Sequence, residues 1–141
     1  MKTLSLICRL VAAAILFQTL WFKFSGAEES KFIFASLHAE PYGRWFAGIS
    51  ELIAGLLLLA PGTQVLGALI GIGIMLGAIL SHIFVLGIDV KGDGGLLFAL
   101  SCVVLLLNLF VLLLERARLK RNIETMKTLV TDLRQGRKAK K

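Results

Sequence analysis

Four long apolar runs, at residues 4–24, 44–60, 64–86 and 95–114, are broken only by short polar punctuation. Each is close to the roughly 20 residues, within a range of about 17–25, that a helix needs to cross the hydrocarbon layer. The second and third are parted by P-G-T at 61–63, a turn tight enough to make them antiparallel neighbours. The third and fourth are joined by GIDVKGDG at 87–94, a Gly/Asp-rich turn. The pattern therefore predicts an all-α fold, a four-transmembrane-helix bundle over residues 1–115. Between the first two spans, EESKFIFASLHAEP at 28–41 places Phe32, Ile33 and Leu37 behind an acidic start. It predicts a short outer amphipathic helix ended by Pro41, either a lid on the bundle or a connector on the headgroups.

Beyond the fourth span the pattern changes. Leu119, Ile123, Met126, Val130 and Leu133 recur at alternating spacings of four and three, an a/d stripe. Residues 116–141 are thus expected to form a basic amphipathic cytoplasmic helix, on the membrane surface or paired with a second copy. The terminal GRKAKK is expected to be disordered. Within the third span, Gly67 with Gly71 and Gly73 with Gly77 make two G-x-x-x-G pairs, a spacing that lets helix backbones approach closely in lipid.

Composition supports the membrane reading. The chain has 141 residues, is 57% hydrophobic and only 18% charged, and has a mean hydropathy of +0.82, whereas soluble domains carry about 25% charged residues. The net charge of +7 lies wholly in the ten Lys/Arg and three acidic residues from Glu115 onward. A basic stretch directly after an apolar span marks the cytoplasmic side and meets anionic headgroups, so no nucleic-acid partner is expected. The N-terminal MKTLSLICRLVAAAILFQTLWFKFSGA imitates a secretory leader. Arg9 interrupts its apolar region early, however, and the run is long enough to span. Retaining it puts Lys2 and the tail on one side, with both termini cytoplasmic. Trp21, Tyr42 and Trp45 then fall at the outer ends of the first two spans, where amphipathic rings favour the interface. Cys8 and Cys102 lie in apolar runs without metal-ligand or C-x-x-C spacing, so no metal site is expected.

The polar residues inside the spans are few and share a depth. At about 1.5 Å per residue, Glu51 lies roughly 10 Å below the outer start of the second span. Gln18 in the first and Ser101 in the fourth lie roughly 9 Å deep, and His82 in the third roughly 7 Å, by the same rise. Polar groups in hydrocarbon are costly, about 2.5–3.5 kcal/mol for an Asp or Lys at a span centre on insertion scales, and persist when they face one another or a wet cavity. Lys23 and Arg44 are candidate counter-charges to Glu51, and Asp89 stands seven residues beyond His82. The expected site is a polar layer of Glu51, His82, Gln18, Lys23, Ser101 and Arg44 that binds a ligand, handles a proton or simply locks the helices together. Arg9 and Asn108, near the inner ends, form at most a minor second pair, with Arg9 reaching to the headgroups. No catalytic residues are expected: there is no supported triad, no pair of buried haem-ligating histidines and no nucleotide fingerprint.

Arg9, FKFSGAEES at 22–30, ELIAGLLLLAP at 51–61, MLGAILSH at 75–82 and GDGGLLFAL at 92–100 together resemble the DoxX family of small bacterial integral membrane proteins, over roughly residues 5–115. The resemblance implies a four-helix inner-membrane bundle, and its namesake is linked to thiosulfate:quinone oxidoreduction, with other members in redox-defence complexes. By the same resemblance Glu51 matches an acidic position of the second helix, His82 the histidine of the third and Lys23 the lysine ending the first. Gln18 departs from the family, where many members have Gly in the first span. The functional expectation is an accessory subunit of a quinone-linked or redox-defence membrane system. It has lipid and redox subunits as partners, a quinone as the candidate cofactor and self-association left open. The alternatives are a non-catalytic assembly or chaperone component, and a small-molecule or proton transporter.

Overall fold

The computed structural model describes residues 2–138 and, within them, all side chains except those of residues 2, 117–119, 121–122 and 133–138. The described residues are all-helical. Helix α1 spans Lys2–Ser25, α2 Glu28–Ser36, α3 Tyr42–Leu59 and α4 Gln64–Ser81, the last continuing through a π turn at His82–Leu86; α5 spans Leu96–Lys138. Four stretches, Thr3–Ser25, Tyr42–Leu59, Gln64–Leu86 and Leu96–Arg116, are long and apolar enough to cross a membrane, the layout of a multi-pass membrane protein in a lipid bilayer. They form a four-helix bundle in which each packs on its sequence neighbour and α1 closes the ring against α5.

The bundle is inside-out in the sense that lipid allows. Its core is built on small residues, with Ala12, Ala54 and Ala68 fully buried beside Leu16, Leu58 and Val111, while Leu69, Leu76, Leu106 and Leu113 face outward. Lipid tails solvate leucine as well as a core does, so close backbone approach is what holds such helices together. Gly67 shows this most sharply. A Cβ added there would meet the Leu58 amide nitrogen at 2.6 Å and the Ala54 carbonyl oxygen at 2.9 Å. Of the four third-span glycines, Gly67 and Gly71 are packing positions, Gly71 lying against the Asn108 side chain, whereas Gly73 and Gly77 meet nothing within 4 Å.

Polar contacts finish the end of the bundle that carries the termini. Ser5 Oγ donates to Glu115 Oε1 at 2.7 Å, joining α1 to α5 in a buried contact. Arg9 does not reach for headgroups and does not pair with Asn108. Its Nη1 donates to the Leu58 carbonyl at 3.3 Å and its Nε to the Ser5 carbonyl at 3.4 Å. The carbonyls of a helix's last turn have no partner within the helix, and a cation there also meets the negative end of the helix dipole. Asn108 is fully buried and donates to the Val104 carbonyl at 2.9 Å.

Two boundaries differ from those expected. The outer helix stops at Ser36, with His38 in the left-handed region at φ 54°, so Pro41 does not end α2 but immediately precedes α3. A ring without an N–H costs nothing at a helix start, where that donor has no acceptor anyway. The basic tail is not a separate element: α5 runs unbroken from span to tail, over 43 residues and through the start of GRKAKK as far as Lys138. At about 1.5 Å per residue it is roughly 65 Å long, twice the ~30 Å hydrocarbon layer. Ile123, Met126 and Val130 are exposed on it, while the stripe positions 119 and 133 lie outside the described side chains.

The turn before α5 is organised by Asp93. Its Oδ1 accepts from the Val90 and Gly95 amides and its Oδ2 from the Leu97 amide, each at 2.9 Å. Gly94 and Gly95 follow with φ of 63° and 81°, which side chains bearing a Cβ rarely adopt. Burial by itself pushes the Asp93 carboxyl up, but hydrogen bonds from Leu97, Val90 and Gly95, together with one shared with Asp89, outweigh it, and the group titrates below its ordinary value. Asp89 is thereby spent on this turn, its Oδ1 accepting from the Gly94 amide at 3.2 Å, and it is not a partner of His82.

Two outcomes follow. Gly67→Ala should lower thermal stability in detergent by about 1–3 kcal/mol, since the added methyl meets backbone that cannot yield. Because the folded Asp93 carboxylate is stabilised, its contribution is complete above the ordinary carboxylate pKa and is lost as pH falls through the lower folded value. Melting followed across that acid range should show a limb that Asp93→Asn flattens. Asp93→Ala should cost about 0.5–2 kcal/mol at neutral pH, the usual range for a lost cap.

Candidate functional site: a polar-lined cavity under α2

Away from the termini, the four spans and α2 enclose a cavity of about 590 Å3, within the roughly 300–1,000 Å3 typical of small-molecule sites. Its one buried carboxylate is Glu51, 4% exposed, in the middle of α3. Lys23 Nζ lies 2.9 Å from Glu51 Oε2, and the Thr19 hydroxyl lies 2.9 Å from the same oxygen. Thr19 and Lys23 are four residues apart on α1, hence one turn apart on one face. Among the described residues nothing hydrogen-bonds the second oxygen, Oε1. Glu51 therefore offers the cavity an open acceptor, while Lys23 offsets its charge.

His82 enters from the π turn that ends α4. This turn is closed by the Gly87 amide on the His82 carbonyl at 2.9 Å, and π turns of this kind recur at functional sites. The ring nitrogen Nδ1 lies 2.9 Å from the Gly87 carbonyl and so carries the proton in that bond. Nε2 makes no hydrogen bond to any described residue, which in the neutral ring leaves it an acceptor. Phe98 packs edge-on against the imidazole, with ring centroids 5.7 Å apart. Ser101 donates to the Phe98 carbonyl at 2.7 Å and lines the same cavity.

Four of the six residues expected in the layer, Glu51, His82, Lys23 and Ser101, line one cavity. The other two do not. Gln18 is exposed on the outside of α1 and is absent from the wall; one residue is about 100° of helix rotation, and Thr19 holds the position assigned to it. The clue was present in the sequence: Ser5, Cys8, Ala12 and Leu16 form the buried stripe of α1, and continuing its spacing reaches Thr19 and Lys23 but never Gln18. Arg44 is no counter-charge to Glu51. Its Nε lies 2.9 and 3.0 Å from the two Glu40 carboxylate oxygens, its Nη2 lies 2.8 Å from Oε1, and its Nη1 donates to the Lys23 carbonyl. It holds the end of α1, and with it Lys23, against the start of α3.

The remaining functional group was not visible in the pattern. Helix α2, through Ser30, Ile33 and Phe34, and Leu37 just past its end cover the cavity like a lid. Ser30 is 5% exposed, yet its hydroxyl has no partner among the described residues. An unpaired buried hydroxyl costs about 1–3 kcal/mol; Asn108 Oδ1, away from the cavity, is left in the same state. No cluster of three His, Cys, Asp or Glu side chains able to hold a metal occurs among the described residues.

These features define a class: a small multi-pass bundle with a lidded, mainly apolar cavity and a few polar groups converging on it. No family model, no curated protein and no solved structure matches the chain.

The ion pair has a direct energetic consequence. Leaving one partner of a buried pair uncompensated costs about 3–5 kcal/mol, whereas replacing both by apolar residues is often neutral. Lys23→Met should therefore lower the melting temperature sharply in detergent, and adding Glu51→Leu should restore most of the loss. Unchanged melting in the single variant would show that the pair does not hold α1 to α3.

Proposed function

We propose that this chain is a DoxX-like protein of the bacterial inner membrane, with both termini cytoplasmic, and that it serves a quinone-linked or redox-defence membrane system as an accessory subunit. In this reading the cavity under α2 holds the system's small molecule, a quinone or a compound like it. The observation that carries it is the mismatch inside the cavity. Glu51 Oε1, His82 Nε2 and the Ser30 hydroxyl are left without partners among the described residues, although Glu51 and His82 are each held by other contacts. Buried polar groups are normally satisfied, and a flat molecule bearing carbonyl or hydroxyl oxygens matches one donor and two acceptors. Phe22, Phe34 and Phe46 on the wall provide surfaces for its ring. The basic tail and the aromatic residues exposed at the opposite end of the first two spans support the cytoplasmic orientation.

A second reading has its own observation. Helix α5 extends well beyond the span with Ile123, Met126 and Val130 exposed, a face suited to a partner protein or a second copy. A non-catalytic assembly component would use that face and keep the polar groups as fasteners.

Native mass spectrometry of gently extracted protein separates the two. Wild-type protein should carry a bound small molecule, recoverable by organic extraction, and Glu51→Gln should carry at most a tenth as much. Bare protein in both preparations, with only the variant's melting temperature lowered, would assign Glu51 to structure. Loss of partner capture on deleting residues 117–141, without change in the cavity, would then favour the assembly component.

A further inference from the structure

The wall between α3 and α4 is not closed along its length. Near the hairpin the two helices touch backbone to backbone at Gly67. Towards α2 they are separated by the cavity, whose wall there consists of Phe46, Ala47 and Ser50 from α3 and Gly73 and Gly77 from α4. Gly73 and Gly77 are both exposed, and a Cβ at either would meet nothing within 4 Å. Phe46 at the rim is 74% exposed. Between these helices, therefore, the cavity reaches the lateral face of the bundle, at the depth of the hydrocarbon and not at the water-facing end. Glycine is a poor choice for a helix interior, about 1 kcal/mol worse than alanine, and unlike Gly67 neither of these glycines relieves a contact within the chain. What they supply is bare backbone at this rim of the cavity. Ser30, whose buried hydroxyl has no partner among the described residues, lies on the wall of the same cavity beneath α2.

We propose that the cavity takes an amphiphile dissolved in the bilayer, which reaches it sideways between α3 and α4. A flat oxygen-bearing head lies beneath α2 against Ser30 and Glu51, and a hydrocarbon tail lies out over Gly73 and Gly77. This rests on the reading that the cavity holds a small molecule, and adds its route and its shape. A wholly water-soluble ligand would have no use for an apolar side opening, whereas a molecule with a tail can enter through one without carrying the tail into water. The polar head exchanges bilayer hydrocarbon for Ser30 and the open oxygen of Glu51, and the tail never leaves lipid.

The test uses the full chain in phosphatidylethanolamine–phosphatidylglycerol vesicles and two photoreactive probes sharing one fully ring-substituted hydroquinone head, whose hydroxyls can donate to Glu51. One carries a ten-carbon tail with a diazirine, the other only a short diazirine arm. In the wild type both should label the cavity wall, and the tailed probe should also label the peptides carrying Gly73 and Gly77. Gly73→Leu with Gly77→Leu, which crowds this rim of the cavity without a collision, should cut labelling by the tailed probe at least tenfold. It should leave the short probe and the melting temperature unchanged. Ser50→Phe, from the facing wall, should act in the same direction and guards against a folding defect in the glycine variant. Ser30→Val should reduce labelling by both probes. Tailed-probe labelling that persists in both rim-crowding variants would overturn the lateral route while leaving the cavity reading intact. If neither probe labels the wild-type cavity, the cavity reading falls and this inference with it.

Discussion

A carboxylate inside an apolar bundle is tolerable only if another group answers its charge, and at Glu51 the answer comes from a different helix. Lys23 reaches it from the end of α1, with Thr19 one turn below. The pairing ties α1 to α3 both in rotation and along the axis, because a 2.9 Å contact between two short-ranged groups permits little sliding of either helix. Arg44 adds a second tie at the same level, gripping the backbone of Lys23 from the start of α3 and Glu40 just before it. With α1 and α3 fixed in this way, α4 and α5 complete the ring, and the space left among the four becomes the cavity.

The two ends of the bundle solve the same problem differently. Without water, neither end gains a hydrophobic drive for association, so each needs contacts that lipid cannot replace. At the terminal end the contacts are mainly steric: alanines and Gly67 bring backbones together, with Arg9 on the Leu58 carbonyl and Ser5 on Glu115 added to them. At the α2 end the contacts are polar and only partly satisfied, and the volume is not filled. Close packing at one end gives the rigidity that lets the other remain open, since a cavity of about 590 Å3 in a bundle this small needs walls that do not collapse.

Helix α2 turns the opening into a lidded site. Its contribution was unreadable from hydrophobicity alone, because Ile33 and Leu37 serve equally well to cover a cavity or to float on headgroups. The π turn at His82 belongs with it. By ending α4 with an i→i+5 bond, the chain brings the Gly87 carbonyl back onto the imidazole and fixes which ring nitrogen is protonated. The opposite nitrogen is thereby left for the cavity.

The amino-acid sequence by itself determined the axial positions: four spans, their short turns, the basic end, and the common depth of Glu51, His82, Gln18 and Ser101. Hydropathy reports how far along a helix each residue lies, and depth in a bilayer follows from a rise of about 1.5 Å per residue. What only the tertiary structure decided is rotation and company. Gln18 and Thr19 have nearly the same depth and opposite surroundings. Arg44 and Glu51 lie on one helix, yet Arg44 answers Glu40. Gly67 and Gly73 have the same chemistry, but one is pressed against backbone while a Cβ at the other would meet nothing within 4 Å. The buried stripe of α1 held enough information to choose Thr19. The choice between a packed and an open glycine, and the stranding of the Ser30 hydroxyl, depend on which neighbour another helix presents, and no local pattern in the chain encodes that.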